Sequence, residues 1–307
     1  MTLTNKVKKI IKYYQSETPG VKSNIVKILM SGKLMGTGKM VILPVDQGFE
    51  HGPDVSFSTN SDAYDPEYHV RLAIDANLNA YAAPKGMLEA ITDDYRGVIP
   101  LILKANSSNS LVSDKNEPNQ SITASVRDAI YLGCTAIGFT IYPGSGNSIE
   151  MIQQISEMIS EAKSSGMATI VWSYPRGGDL SKKQETSIKT ISYAAHIAAE
   201  IGANIIKVKL PDITSIKKDS LAPSADYQSI QNLTKAVSHI MQASFSCRRL
   251  VVFSGGLTKT KDEIYKEATA IYNGGGSGSI IGRNSFQRPY KEALDLLSKI
   301  TDIYLGK

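Results

Sequence analysis

From residue 40 onward the chain repeats one pattern: a short apolar run, then a longer amphipathic stretch. The runs are residues 40–45, 78–83, 100–104, 136–141, 168–173, 204–210, 250–254 and 279–282. Between and after them, apolar residues recur at helical spacing over 67–76, 86–93, 122–132, 148–165, 185–201, 227–243, 261–272 and 286–305. Strand-then-helix alternation suits a parallel sheet covered by helices. About eight such units, with no linker-like boundary, predict a (β/α)8 TIM barrel of the α/β class. A doubly wound open sheet is the alternative, and it would usually need fewer strands or a second domain. Residues 3–15 and 21–30 also carry helical spacing, broken by Gly32, Gly36 and Gly38. Residues 1–38 are therefore expected to form a helical extension covering the barrel, within one domain spanning 1–307.

Composition narrows what such a barrel does. At 307 residues and 42% hydrophobic content, a barrel-sized core can be filled. The net charge of +5 is mild, and the basic residues fall in scattered pairs such as Lys8-Lys9, Lys182-Lys183, Lys217-Lys218 and Arg248-Arg249. A nucleic-acid binder would concentrate them in a stripe, so no nucleic-acid partner is expected. A weak pull on small anions is compatible with the excess. The two cysteines, Cys134 and Cys247, cannot build a disulfide framework or a cysteine-rich metal site. None of the four histidines (His51, His69, His196, His239) shows zinc-type spacing, so neither a metal nor another cofactor is expected. No apolar run reaches the length of a signal-peptide core or of a bilayer span. The expectation is a soluble, cytoplasmic protein with no membrane partner.

Barrel chemistry sits at the C-terminal ends of strands, so the residues there are the candidates. The first strand runs into Val45-Asp46-Gln47-Gly48-Phe49-Glu50-His51-Gly52-Pro53. Asp46 directly follows the apolar run, where a carboxylate would face the barrel mouth; a turn-forming aspartate before Gly48 is the other possibility. His51 could help bind substrate or be an ordinary loop residue. The fifth strand ends in Trp172-Ser173-Tyr174-Pro175-Arg176-Gly177, and alternation puts Trp172 and Tyr174 on one face. A phenol at the mouth can move a proton if its surroundings tune it, whereas aromatic packing would explain both rings without chemistry. In the sixth strand Ile205, Lys207 and Lys209 share one face, and Ile206, Val208 and Leu210 the other. Lysine is almost never buried without a reason. A neutral lysine can attack a carbonyl, and apolar walls or a second cation would bring its pKa down toward neutrality. An exposed edge strand is the alternative for both lysines. The seventh strand ends in Phe253-Ser254-Gly255-Gly256-Leu257, and the eighth unit reads Gly274-Gly275-Gly276-Ser277-Gly278-Ser279-Ile280-Ile281-Gly282-Arg283-Asn284. Glycines let backbone amides approach a phosphate closely, and loops 7 and 8 are where barrels commonly hold one. Arg283 would add charge, while Gly274–Gly276 also fits a plain turn before the last strand.

Together these segments resemble the archaeal-type (DhnA-like) class I fructose-bisphosphate aldolases, in the form found in bacteria. The resemblance rests on Asp46–Pro53, Trp172–Gly177, Ile205–Lys209, Ser254–Gly256 and Gly282-Arg283-Asn284-Ser285-Phe286-Gln287-Arg288, which occur in family order. It implies that Lys207 is the Schiff-base lysine, Tyr174 the acid/base tyrosine, Asp46 the active-site aspartate and Trp172 a substrate-shaping residue. It places Ser254, Gly255, Gly282 and Arg283 at phosphate-binding positions, and in the mechanism it implies Lys209 would hold a substrate hydroxyl and keep Lys207 deprotonated. Gln47 stands where archaeal members often carry His. The implied reaction is reversible, metal-independent cleavage of fructose 1,6-bisphosphate in glycolysis or gluconeogenesis, so the implied partner is a phosphorylated sugar. A homo-oligomer is also implied, decamers being common in the family. The rivals are a Schiff-base transaldolase-like synthase or thiolase acting on another phosphorylated ketose, and a non-catalytic phosphosugar-binding barrel.

Overall fold

The computed structural model describes residues 2–112, 117–212, 230–256 and 258–307. Among them, parallel strands close into a barrel in chain order. They are β1 Met40–Pro44, β2 Ala80–Pro84, β3 Leu101–Lys104, β4 Ala136–Ile141, β5 Ala168–Ser173, β6 Ile205–Lys209, β7 Leu250–Ser254 and β8 Gly278–Ile280. The (β/α)8 expectation holds and the open sheet does not, because β8 pairs back onto β1, Met40 opposite Gly278. That closure depends on a missing side chain. Gly278 has φ +138° and a Cβ there would lie 1.8 Å from the Met40 carbonyl oxygen, so only glycine allows the first and last strands to approach this closely.

Strand alternation sorts the apolar side chains into two layers. Val41, Leu43, Val171, Ile206, Val208 and Phe253 face outward into the shell of helices. Met40, Ile42, Ile102, Ile170, Ile205 and Val252 face inward and fill the barrel. The principal helices are α1 Asn5–Ile11, α2 Pro19–Leu29, α3 Pro66–Asp75, α4 Lys85–Glu89, α5 Val126–Tyr131, α6 Ser148–Ser164, α7 Ile188–Glu200, α8 Leu233–Ala243, α9 Lys261–Asn273 and α10 Tyr290–Tyr304. Local chemistry sets several starts. Ser125 with Asp128 and Thr260 with Glu263 form capping boxes, each cap worth about 1 kcal/mol. The first box explains why the amphipathic stretch from 122 becomes helical only at Val126; Ser121–Ile122 instead pairs antiparallel with Asn106–Ser107. Pro289 likewise separates α10 from a short helix, Arg283–Phe286. Of the helix expected over 227–243, residues 227–229 lie outside the described residues.

The N-terminal extension plugs the bottom of the barrel. Val7, Tyr14, Val21, Ile25, Ile28 and Leu29 are buried in the same cluster as the inward-facing strand residues, each large aliphatic contributing roughly 1.5–3 kcal/mol by leaving water. Two buried asparagines tie this plug to the sheet. Asn79 accepts from Val41 N and donates to the Ile28 and Ser31 carbonyls; Asn204 accepts from Thr169 N and donates to Glu17. No helix among the described residues is long and apolar enough to cross a membrane.

Candidate active site

At the C-terminal rim the inward-facing series of six strands runs out of apolar residues. β1 leads to Asp46, β3 ends in Lys104, β5 leads to Tyr174, β6 carries Lys207 and Lys209, β7 ends in Ser254 and β8 leads to Gly282. All of these but Lys104, which is buried beside Trp172, line one cavity. It is lined by Asp46, Glu50, His51, Tyr174, Arg176, Lys207, Lys209, Ser254, Gly255, Gly282 and Arg283. Every candidate from the sequence therefore lines it except Trp172, which lies beneath. Trp172 is fully buried. It sits opposite Lys207 in the β5–β6 register, with the ring centroid 5.2 Å from the Lys207 Nζ. The ring occupies space left by Gly138 on β4, where a Cβ would stand 2.0 Å from the indole.

Lys207 is 3% exposed. Burial pushes its pKa down to about 8; Asp46 and Glu50 oppose the shift, and Arg176 and Arg283 add to it. At pH 7 about a tenth of such an amine is neutral, against about 0.03% of an unperturbed lysine. Lys209 is also pushed to about 8, by burial and then by Arg176. Both ammonium groups stand 5.7 Å from the Tyr174 ring centroid, and Lys209 pairs with Ser254 across the β6–β7 ladder. Tyr174 is hydrogen-bonded to Ser254, and burial, then Asp46, raise its pKa far above the ordinary phenol value. The free protein thus holds Tyr174 as a proton donor. Asp46 presents a buried carboxylate oxygen, Oδ1, that has no protein partner. A substrate hydroxyl or a carbinolamine would satisfy it.

The adjoining wall is built from loops 7 and 8. Gly282 packs so closely that a Cβ would lie 2.7 Å from the Pro44 carbonyl oxygen, and Arg283 reaches the Gly256 carbonyl at 3.3 Å. Ser254, Gly255, Gly282 and Arg283 thereby form one polar side of the cavity; Leu257 lies outside the described residues. Gly274 caps the end of α9 and Gly275 has φ +83°, so Gly274–Gly276 is a turn at the other end of the barrel.

Three site residues were not singled out from the sequence. Lys104 is 4% exposed, donates to the Asn106 side chain at 2.9 Å and lies 5.8 Å from the Trp172 ring. Burial takes its pKa down to about 8, with Asp46 and Glu50 opposing and Lys207 adding to the fall. Glu50 and Arg176 form an ion pair at 2.9 Å on the cavity wall. Burial alone would raise the Glu50 pKa, but Arg176 holds it below the usual carboxylate range. The signal for Lys104 was present: a charged residue closing an apolar run, much as Asp46 directly follows one. Among the described residues, no three His, Cys, Asp or Glu side chains come together as a metal-binding group.

Comparison with known proteins bears on this arrangement. Residues 40–288 match the family model of the DeoC/LacD family aldolases. A probable class 1 fructose-bisphosphate aldolase of Chlamydia trachomatis is 35% identical over 294 residues, covering 92% of this chain and 84% of that protein. The class 1 fructose-bisphosphate aldolase of Thermoproteus tenax is 34% identical over 88% of this chain and 90% of its own length. An archaeal fructose-1,6-bisphosphate aldolase, solved with its catalytic lysine covalently bound to the carbinolamine intermediate of the substrate, superposes with a TM-score of 0.76 at 32% identity, covering 91% of this chain and 98% of that one. With the barrel, a buried lysine on its sixth strand facing the cavity and a family match running from β1 past β8, this chain belongs to the DeoC/LacD family of aldolases, beside relatives named class 1 fructose-bisphosphate aldolase.

Proposed function

We propose that the protein is a class I, Schiff-base fructose-bisphosphate aldolase, a lyase that reversibly cleaves fructose 1,6-bisphosphate to dihydroxyacetone phosphate and glyceraldehyde 3-phosphate. The observation that carries this is Lys207: a lysine 3% exposed, its ammonium brought down to about 8, lining a cavity with Tyr174, Asp46 and a Ser-Gly/Gly-Arg wall suited to phosphate. The names of the relatives point the same way.

In this reading neutral Lys207 attacks the C2 ketone, and Asp46 accepts hydrogen bonds from the amine and the new hydroxyl of the carbinolamine. Tyr174, protonated in the free protein, donates its proton as that hydroxyl leaves as water. The resulting iminium is the electron sink. The Tyr174 phenolate, stabilised by the iminium and by Arg176 5.3 Å from its ring, takes the C4 hydroxyl proton. The C3–C4 bond then breaks, its electron pair moving into the iminium to give an enamine as the aldehyde departs. Tyr174 returns the proton to C3, and hydrolysis of the imine frees Lys207. Trp172 shapes the floor beneath the imine, Lys209 and His51 hold substrate hydroxyls, and Ser254, Gly255, Gly282 and Arg283 hold one phosphate. None of these steps calls on a metal or another cofactor.

Borohydride reduction in the presence of dihydroxyacetone phosphate, followed by peptide mapping, tests the assignment. A label on Lys207 is expected; a label on Lys209 alone, or none, would overturn it. Activity in EDTA is expected to match the untreated enzyme, and loss that zinc restores would point to a metal-dependent aldolase. The same reading places the enzyme in the cytoplasm, as a homo-oligomer of up to ten chains serving glycolysis or gluconeogenesis, with residues 1–307 as one domain. Light scattering coupled to gel filtration checks the assembly.

A further inference from the structure

The N-terminal end of the barrel carries a second cavity, of about 220 Å³, that shares no lining residue with the catalytic one. Five cationic side chains line it: Lys6 and Lys9 from α1, Lys39 just before β1, and Arg248 and Arg249 just before β7. Among the described residues the lining holds no Asp or Glu. Glu17, whose charge reaches the neighbouring Tyr14, is bound instead by Lys163 at 2.6 Å and Asn204 at 2.8 Å. The cations are also held in place. Lys39 donates to the Gly276 carbonyl at 2.6 Å. The Arg249 guanidinium lies over the Tyr14 and Phe245 rings, 5.5 and 5.1 Å from their centroids, and its buried Nε has no protein partner.

The turn that delivers the two arginines is strained. Phe245, Ser246 and Cys247 have φ of +57°, +52° and +66°, three consecutive non-glycine residues in the left-handed region. L-residues visit that region singly and at a cost, so such a run persists only where its surroundings impose it, often at functional sites. Crowding like charges without a counter-ion is unfavourable too: burial and then Lys6 bring the Lys39 pKa down to about 8.

We infer that this cavity is a second ligand site, taking a small phosphorylated anion with two or more negative charges. The cations come from three separated segments, so a single anion with several acceptor oxygens would bridge α1, residue 39 and residues 248–249. Leu250 and Ser277 also line the cavity, placing the ligand at the base of β7 and β8, whose upper ends carry Ser254 and Gly282. The inference does not depend on the catalytic reading.

Inorganic pyrophosphate is the probe, titrated calorimetrically into the full chain at low ionic strength. Because the catalytic cavity also offers Arg283, the titration uses Arg283→Ala protein. One pyrophosphate per chain is expected to bind. Adding Lys39→Met with Arg249→Met should weaken that binding at least about tenfold. Lys6→Gln with Lys9→Gln, on the exposed rim, should weaken it severalfold while leaving the ligand-free melting temperature unchanged, so the rim pair decides the matter if the inner pair does not fold. Absence of binding to Arg283→Ala protein, unchanged affinity in the rim variant, or equal affinity for acetate would each overturn the assignment.

Discussion

Gly138→Ala is the sharpest test of how the barrel interior sets the chemistry. A Cβ at residue 138 would stand 2.0 and 2.3 Å from two atoms of the Trp172 ring, where ordinary contact begins at 3.4 Å, so the ring or strand β4 must give way by about 1.4 Å. Trp172 has no free space to take, being fully buried, and it pairs with Lys207 across the β5–β6 ladder. Overpacking of this kind costs about 1–3 kcal/mol. At about 2–4 °C per kcal/mol, the melting temperature should fall by several degrees. A displacement on the order of 1 Å beneath a reacting group can cost about 100-fold in rate, so kcat for fructose 1,6-bisphosphate cleavage should fall by about that factor. The added Trp172→Phe substitution, which shortens the ring, should return part of the stability, with a coupling of at least ~1 kcal/mol in the double-mutant cycle. Thermal melts and a coupled assay suffice. A Gly138→Ala protein that melts like wild type and turns over within about threefold would refute the reasoning.

Four further outcomes are expected. Tyr174→Phe should cut turnover by about 100-fold or more and slow the build-up of the borohydride-trapped adduct without moving the label from Lys207, since the phenol serves carbinolamine dehydration as well as proton transfer at C4 and C3; unchanged turnover would remove Tyr174 from the mechanism. The rate at limiting substrate should rise with pH through about 8, because Lys207 attacks only when deprotonated, and a flat profile from 6 to 9 would contradict this. Arg176→Gln should move that rising limb to higher pH: it removes a cation that lowers the Lys207 pKa and releases Glu50, which raises it. A pH–rate series on both proteins reads the shift, and a limb that stays in place would show that Arg176 does not tune Lys207. Lys104→Met should lower activity at neutral pH while keeping the fold, since the ammonium faces both Asp46 and Lys207; circular dichroism with the trapping yield separates the two effects.

Stability should follow pH in the corresponding sense. Lys39, Lys104, Lys207 and Lys209 all have native pKa values of about 8 against an ordinary 10.5. Between those values the unfolded chain binds more protons than the native one, so stability should rise with pH across that interval. The gain stops near pH 10, where unfolded tyrosines begin to ionise while buried Tyr14 and Tyr304 keep their protons. Chemical denaturation at pH 7.5 and 9.5 measures the difference.

The parts legible in the sequence were those governed by local periodicity. Lys207 and Lys209 could be placed on the inward face because strand alternation is a two-residue rule, and Ile206 and Val208 marked the outward face against the helices. Helix starts were less legible: α5 begins at a capping box, and Ser121–Ile122 joined a ribbon whose other strand is fourteen or more residues earlier. Lys104 was missed because the third run ends without a motif around it, and its importance lies in neighbours from β1, β5 and β6.

By itself, then, the sequence determined the strand-and-helix rhythm, the faces of the strands and the family to which the site belongs, since each follows from residues within a few positions of one another or from short local motifs. The tertiary structure alone decided what those residues mean to one another. Barrel closure at Gly278 brings strand ends from across the chain around one cavity, buries Trp172 into the gap left at Gly138, and surrounds Lys207 with Asp46, Glu50, Arg176 and Arg283. It also gathers Lys6, Lys39 and Arg249 at the opposite end. Electrostatic tuning depends on distance through space and on exclusion of water, and neither is encoded in spacing along the chain.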